Sequence, residues 1–305
     1  MRMLVLVLGL LASASAVVLE RYHEAVGIPL AKQIKEIEDS HNAARGRSVD
    51  NTLVGQKIVG GVIAPVNAHP YLAGLVISLT HTANPSACGA SLLSANRLVT
   101  AAHCWFDGAN QAWRFEVVLG SQFLFQGGTR VATSSVIMHP QWMPSLIRND
   151  VAMIYLPMNV TSKNFNFISG IIQPITLPSS SDLFETFVGH WAIAAGYGKT
   201  SDAQLGVNVN TVVSHVNVQV ITVDLCARTY NSLQAYVQPS NICTSGLGGV
   251  GICGGDSGGP LVVNRNGKPT LVGISSFTAQ NACQQQHPSA FARVTSFYNF
   301  IVQHM

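Results

Sequence analysis

From Ile58 to its end, the chain consists of short β-branched and apolar runs that glycine, proline, asparagine or serine interrupts every few residues. Runs such as residues 71–79, 115–119 and 271–275 have the length of strands and lie between turn-forming residues. Many short strands with frequent turns predict an all-β sandwich or a pair of barrels. Only residues 295–302 have a helical pattern, with threonine or serine placed to cap its start.

The N-terminal residues predict export from the cell. Arg2 precedes a short apolar stretch at residues 3–11, and small residues follow as far as Ala16. This is the pattern of a signal peptide over residues 1–16, and the apolar stretch is too short to cross a bilayer core of ~30 Å. We therefore expect a secreted, extracellular protein that does not bind a membrane.

The next segment, residues 17–57, differs in composition from everything after it. It holds 12 charged residues, whereas the 248 residues that follow hold 18, and it contains no cysteine. Its aliphatic residues between Ile28 and Ile37 lie beside lysines and glutamates, which predicts at most a short amphipathic helix. We interpret the segment as a removable pro-segment that precedes a domain over residues 58–305.

The cysteines agree with an exported protein. There are six of them, all after the pro-segment: Cys88, Cys104, Cys226, Cys243, Cys253 and Cys283. An even number in an exported chain predicts three disulfides, whose pairing the residues alone leave open. A zinc site is the rival interpretation, but the chain has no CxxC pair.

Three residues have the chemistry of a nucleophilic hydrolase. A serine hydroxyl is a weak nucleophile that needs a base, and the base needs an anion to orient it. The candidates are Ser257 in a glycine-rich run, His103 before a cysteine, and Asp150 before an apolar stretch. Taken singly, each residue also has a structural interpretation: a turn, a histidine packed beside a disulfide, or a strand cap.

Four segments resemble the signature segments of the trypsin/chymotrypsin family of serine proteases. They read IVGG at residues 58–61, LVTAAHC at 98–104, NDVA at 149–152 and GDSGGP at 255–260. Their order of histidine, aspartate and serine differs from the orders found in subtilisins and α/β-hydrolases. The resemblance runs from Ile58 to the end of the chain, and arthropod digestive chymotrypsin-like proteases look most similar.

The resemblance implies a fold of two six-stranded antiparallel β-barrels with a C-terminal helix. The barrels would span about residues 58–160 and 186–305, with a linker at about 161–185. The disulfides that it implies are Cys88–Cys104, Cys226–Cys243 and Cys253–Cys283. It also implies a monomer without a cofactor, and we expect no metal because the loop at residues 119–128 has no acidic residue for calcium.

The resemblance also assigns roles to the catalytic candidates. Ser257 would attack the peptide carbonyl, His103 would move the proton, and Asp150 would hold His103 in the correct tautomer. The backbone N–H groups of Gly255 and Ser257 would form the oxyanion hole.

By the same resemblance, the chain is made as an inactive precursor. Cleavage after Lys57 by a trypsin-like activating protease would free the amine of Ile58 to pair with Asp256. Because Asp256 adjoins the nucleophile, this pairing would set the geometry of the site. Since no cysteine tethers residues 17–57, we expect them to leave after the cut.

The pocket that selects the substrate is expected to be uncharged. The resemblance places its floor at Gly251 and Ile252, where a trypsin would carry an aspartate. Without an anion, the pocket has no partner for a buried arginine or lysine. The walls that the resemblance implies are Ser276, Phe277, Thr278 and Ser289. We expect cleavage after large apolar residues, with an elastase-like preference for small aliphatic residues as the alternative.

Together these patterns predict a secreted digestive serine endopeptidase, with the gut lumen as its place of action. Its expected partners are protein or peptide substrates, an activating protease and protein protease inhibitors. Nucleic acid is not an expected partner, because the net charge of +3 comes without a basic stripe. A regulatory protease with one target and a non-catalytic binding homologue are the alternative functions.

Overall fold

The computed structural model describes residues 21–45, 60–160, 171–199, 212–230, 235–279 and 283–305. The predicted signal peptide, residues 1–16, and the predicted activation residues Lys57 and Ile58 lie outside these ranges, as does the first part of the predicted linker. The described residues form 14 strands in two antiparallel sheets. The first strand, β1 (Val62–Ile63), belongs to the second of these sheets.

The first sheet is curled and encloses an apolar core. Its strands are β2 (Leu72–Leu79), β3 (Thr82–Ser94), β4 (Arg97–Thr100), β5 (Ala112–Leu119), β6 (Thr129–Thr133), β7 (Val136–Met138) and β8 (Ala152–Tyr155). They lie in the order β6-β5-β2-β3-β4-β8-β7. Leu75, Phe115 and Ile154 are fully buried in this core because alternate residues of each strand point inward.

The second sheet closes into a barrel. Its further strands are β9 (Trp191–Gly196), β10 (Ser214–Ile221), β11 (Asn241–Thr244), β12 (Pro260–Arg265), β13 (Lys268–Phe277) and β14 (Ser289–Arg293). The order is β1-β10-β11-β14-β13-β12-β9, and β9 also pairs with β10. That last pairing closes six strands around a core that includes Leu261 and Phe291.

The expected fold of two antiparallel barrels with a C-terminal helix is confirmed. The first sheet has seven strands instead of six, and within the described residues β6 and β7 remain edges, so it is a curled half-barrel. The C-terminal helix, α3 (Tyr298–Gln303), begins later than the pattern predicts. Its N-cap is Phe297, without a side-chain cap, because a backbone-bonded turn after β14 occupies residues 294–297.

The segment before the domain is more ordered than its sequence suggests. A π-helical turn, His23–Gly27, continues into the 18-residue helix α1 (Ile28–Arg45). The prediction of a short helix was wrong, because isolated helices are marginal in water and packing on a surface stabilises a longer one. Leu30 and Ile34 of α1 are buried against the domain.

The disulfides join the three pairs that the resemblance implies. They are Cys88–Cys104, Cys226–Cys243 and Cys253–Cys283, with S–S distances of 2.08, 2.10 and 2.04 Å. The second of them fastens helix α2 (Val223–Tyr230) to β11. Of the helices that the structure describes, none combines the length and the apolar character needed to cross a membrane.

Candidate active site

His103 is held in place by its neighbours in the chain. It lies in a 3₁₀ turn, Ala102–Cys104, directly after β4, and the disulfide to Cys88 ties this turn to β3. Asp150 comes just before β8. Because β4 and β8 pair with Thr100 opposite Ala152, the register brings Asp150 beside His103.

The two side chains form a short, buried pair. His103 Nδ1 lies 2.8 Å from Asp150 Oδ2, and the His103 backbone N–H donates to Oδ1 at 2.9 Å. The hydroxyl of Ser276, in β13, donates to Asp150 Oδ2 at 2.5 Å. Both histidine and carboxylate are at most 2% exposed.

The charge state of Asp150 follows from these contacts. Burial acts to raise its pKa, but the charge of His103 and the hydrogen bonds from His103 and Ser276 outweigh it, so the pKa is lowered. An ionised Asp150 accepts a hydrogen bond from His103 Nδ1, which leaves Nε2 as the basic nitrogen. Within the described residues, Nε2 has no hydrogen-bond partner.

Ser257 lies in a glycine-rich turn that packs against the first sheet. Gly258 has φ +79°, and a Cβ there would overlap Thr100 Oγ1 and the carbonyl oxygen of Gly89. The Gly89 N–H donates to the Ser257 carbonyl oxygen at 2.7 Å. The turn can therefore approach β3 and β4 only with glycine at 258, and this approach brings Ser257 to the side of the first sheet that carries His103.

Asp256, next to the nucleophile, is buried. Its carboxylate accepts hydrogen bonds from the N–H groups of Gly198 and Cys253, both at 2.9 Å. Burial raises its pKa to about 6, against the effect of these two bonds. No ion pair to Asp256 occurs in the described part of the chain, from which Ile58 is absent.

The residues expected to form the pocket come together beside this turn. The Ile252 N–H donates to Ser289 Oγ at 3.1 Å, and a side chain at Gly251 would lie 2.6 Å from the same oxygen. This floor carries no charged residue. Tyr230 packs its ring 5.8 Å from Phe277, one of the residues expected to form a wall, and its hydroxyl donates to the Pro288 carbonyl oxygen.

Two residues that stand in no sequence motif, Tyr22 and His23, also lie in this site. The ring of Tyr22 contacts the His103 ring at 4.7 Å between centroids, and its hydroxyl donates to the Ala87 carbonyl oxygen at 2.8 Å. Burial raises the pKa of Tyr22, and a hydrogen bond with Ser257 partly offsets the rise. His23 is fully buried, and burial lowers its pKa to about 4. No local motif marks either residue, because both act through a surface formed elsewhere in the chain.

One cluster with metal-ligand chemistry has a different explanation. His103 lies close to the sulfur atoms of Cys88 and Cys104. These sulfurs are joined to each other, so neither is a thiolate that could bind a metal ion.

A buried acid that orients a histidine beside a serine in a glycine-rich turn is the arrangement of a serine hydrolase. Residues 58–301 match the model of the Trypsin family.

The chain belongs to the trypsin family of serine endopeptidases.

Several arthropod proteases are similar to this trypsin-family chain. The Collagenase of Hypoderma lineatum is 34% identical over 248 residues, which cover 81% of this chain and 86% of that protein. Brachyurin of Leptuca pugilator is 36% identical over 247 residues, or 80% of this chain and 96% of that protein. The solved structure of HL collagenase aligns with a TM-score of 0.70 at 32% identity and covers 81% of this chain and 97% of that one. The likeness to arthropod chymotrypsin-like proteases, expected from the sequence, is confirmed.

Proposed function

We propose that this serine endopeptidase cleaves peptide bonds through an acyl-enzyme formed on Ser257, with His103 as the base and Asp150 as its orienting acid. The observation that carries the proposal is the buried His103–Asp150 pair, whose atoms lie 2.8 Å apart beside the Ser257 turn. Its partners in this reaction are protein or peptide substrates.

In the proposed reaction, Ser257 Oγ bonds to the peptide carbonyl carbon and its proton moves to His103 Nε2. The N–H groups of Gly255 and Ser257 stabilise the oxyanion. The C–N bond then breaks and the proton passes to the leaving amine. Water next attacks the acyl carbon and gives a proton to His103. The bond between this carbon and Ser257 Oγ then breaks, His103 returns the proton to Ser257 Oγ, and the acid product leaves.

We also propose that the chain is a precursor activated by cleavage after Lys57. The freed ammonium of Ile58 would pair with Asp256. A buried carboxylate that lacks a cation is costly, and the raised pKa of Asp256 is a sign of that cost. The start of the Trypsin family match at residue 58 supports the same boundary. A trypsin-like protease would make the cut.

For specificity, we propose cleavage after large apolar residues. The uncharged floor at Gly251 and Ile252 offers nothing to pair with arginine, and the Ser289 hydroxyl beside it already binds a backbone N–H. The elastase-like alternative predicts faster cleavage after alanine. Matched substrates with phenylalanine, leucine, alanine or arginine directly before the bond to be cut decide between them. Dominant cleavage after arginine would contradict both.

The proposed setting is extracellular digestion in the gut lumen, where protein inhibitors of proteases would be additional partners. Three disulfides are typical of proteins that work outside the reducing cytosol. A relative named Collagenase adds collagen to the substrates worth testing. Broad cleavage of a protein panel supports digestion, whereas a single cleaved protein would support the regulatory alternative.

The direct test of catalysis is Ser257→Ala in the protein cut after Lys57. We expect hydrolysis of a phenylalanyl peptide to fall by a factor of about 10⁵ or more, since subtilisin loses about 2 × 10⁶ when its serine is removed. Normal activity in Ser257→Ala would overturn the proposed mechanism and favour the non-catalytic alternative.

A further inference from the structure

The segment 21–45 packs on the domain, and its first residues contact the catalytic residues. The Tyr22 ring meets the His103 ring edge to face, and its hydroxyl donates to the Ala87 carbonyl oxygen. The same hydroxyl interacts with Ser257, which partly offsets the rise in its pKa. Tyr22 is 2% exposed. A peptide carbonyl that approaches Ser257 beside His103 would need the space that this ring fills.

A second contact covers the backbone around Gly255, which is expected to form part of the oxyanion hole. A Cβ placed on Gly255 would overlap the Leu30 side chain, and one on Gly254 would lie 2.8 Å from Val26 Cγ1. Leu30 is buried, with 2% exposure. The start of α1 therefore lies directly on the residues that precede Ser257.

A third contact is polar and lies on the first sheet. The backbone N–H of His23 donates to Asp107 Oδ2 at 2.9 Å, and its Nδ1 lies 2.8 Å from Ser86 Oγ. Gly27 packs so closely on Ser86 that a Cβ would overlap the serine hydroxyl. Both hydrogen bonds are buried, so they satisfy polar groups that water cannot reach while the segment is bound.

A fourth contact fixes the far part of α1. The carboxylate of Glu38, fully buried, accepts from the N–H groups of Leu124 at 2.7 Å and Phe125 at 2.9 Å. Gln126 Nε2 donates to the Glu38 carbonyl oxygen at 2.5 Å. Between the two ends, Ile34 packs in an apolar cluster of the domain.

The opposite face of α1 is solvated. Lys32 pairs with Glu36 and Lys35 with Asp39, and all four side chains are more than half exposed. The segment is therefore amphipathic, with its apolar and hydrogen-bonding face matched to the site and its charged face toward water.

We propose that residues 21–45 are a reversible inhibitor of this chain's own active site, and that the segment stays bound in the cleft after cleavage at Lys57. The proposal rests on the serine endopeptidase function proposed above. It revises the expectation that the segment leaves once cut because no cysteine tethers it. Four sets of buried contacts hold it without a covalent bond, and none of them includes Lys57.

The proposal makes activity depend on concentration. Before the cut the segment is tethered, so its effective concentration at the site is high. After the cut its release is a bimolecular equilibrium, and dilution should release active enzyme. Full activation then requires dilution or destruction of the segment as well as the cut.

The experiment uses the full chain with Lys32→Gln and Lys35→Gln, both exposed, so that a lysine-specific endopeptidase cuts the pro-segment only at Lys57. The cut protein is passed over a size-exclusion column at micromolar concentration, and its hydrolysis of a phenylalanyl peptide is measured over a dilution series. We expect the fragment to co-elute and the activity per molecule to rise about tenfold or more on dilution. Fragment that elutes separately at micromolar concentration, or activity independent of dilution, would overturn the proposal.

Two further variants in the same background sharpen the test. Tyr22→Ala removes the contact with His103 and Ser257. Because the loss of a buried aromatic ring weakens binding of the segment, this variant should reach full activity at a protein concentration about a hundredfold higher than the concentration at which its parent does. Glu36→Ala, on the exposed face of the same helix, is the matched control and should behave as the parent. Equal dilution curves for Tyr22→Ala and Glu36→Ala would contradict the proposal.

Failure of the proposed function looks different from failure of this inference. If the proposed function is wrong, Tyr22→Ala stays inactive at every dilution even where its fragment has separated. If only the inference is wrong, the parent protein is fully active as soon as it is cut.

Discussion

Asp150 is the residue whose surroundings are most completely defined. Three groups hydrogen-bond with its one carboxylate: His103 Nδ1, the His103 backbone N–H and the Ser276 hydroxyl. Because this carboxylate fixes the tautomer of His103, its charge matters more than its shape.

The variant Asp150→Asn tests that role. We expect kcat to fall by a factor of about 10⁴ while the protein stays folded, since an amide cannot hold the proton of His103 on Nδ1. The matched control is Asp224→Asn, whose carboxylate is 70% exposed on α2 and should leave kcat unchanged. A loss of less than tenfold in Asp150→Asn would contradict the assigned role.

The raised pKa of Asp256 implies that the stability of the uncut protein depends on pH. Its pKa is about 6 in the fold and has a reference value of 3.8, so the folded state binds the proton more tightly. The stability that this group contributes is therefore fully present below about pH 3.8 and is lost as pH rises through 6.

Urea unfolding of wild type and Asp256→Asn across pH 4 to 7 measures this effect. Wild type should lose stability relative to the variant as pH rises, because asparagine does not ionise. After the cut, pairing with the Ile58 ammonium should abolish that trend. A stability difference that is constant over this range in the uncut protein would contradict the account.

Residues with short motifs could be predicted from the sequence, and residues without them could not. His103, Asp150 and Ser257 stand in segments that identify them, and the structure brings the first two together as expected. Tyr22 and His23 stand in no motif. Their place in the site depends on a surface built from residues more than 60 positions away, such as Ser86 and Asp107.

At the level of elements, α1 departs most from the sequence prediction. Its periodicity was visible, but its length was not, because the surface that stabilises it belongs to the domain. The strands were easier to predict, since alternation and turn residues act locally. The later start of α3 reflects backbone bonds of a turn after β14, which no side-chain pattern encodes.

The docking of α1 can be measured with a pair of substitutions. Leu30→Ala should destabilise the docked helix by about 2–5 kcal/mol, because it removes a fully packed aliphatic side chain. Lys32→Ala, two residues away and exposed, should change stability by no more than about 0.5 kcal/mol. Hydrogen exchange of the amides in α1 reports both values, and equal protection in the two variants would show that α1 is not docked as described.

In the whole molecule, the site exists only where the two sheets meet. His103 and Asp150 come from the first sheet, whereas Ser257 and Ser276 come from the second, and the Gly89–Ser257 bond joins the two. The strand pattern predicted an all-β fold, and the resemblance of the four signature segments predicted the two barrels. Neither could predict that the N-terminal segment fills the junction between them.

We propose that Ser257 becomes a nucleophile at this junction once the segment before the domain has been cut and removed. The most direct measurement treats the protein with a serine-directed phosphonate, before and after cleavage at Lys57 and dilution, and locates the adduct by mass spectrometry. We expect one adduct, on Ser257, that forms quickly in the cut and diluted protein and slowly in the uncut one. An adduct on another residue, or none under any condition, would contradict the account.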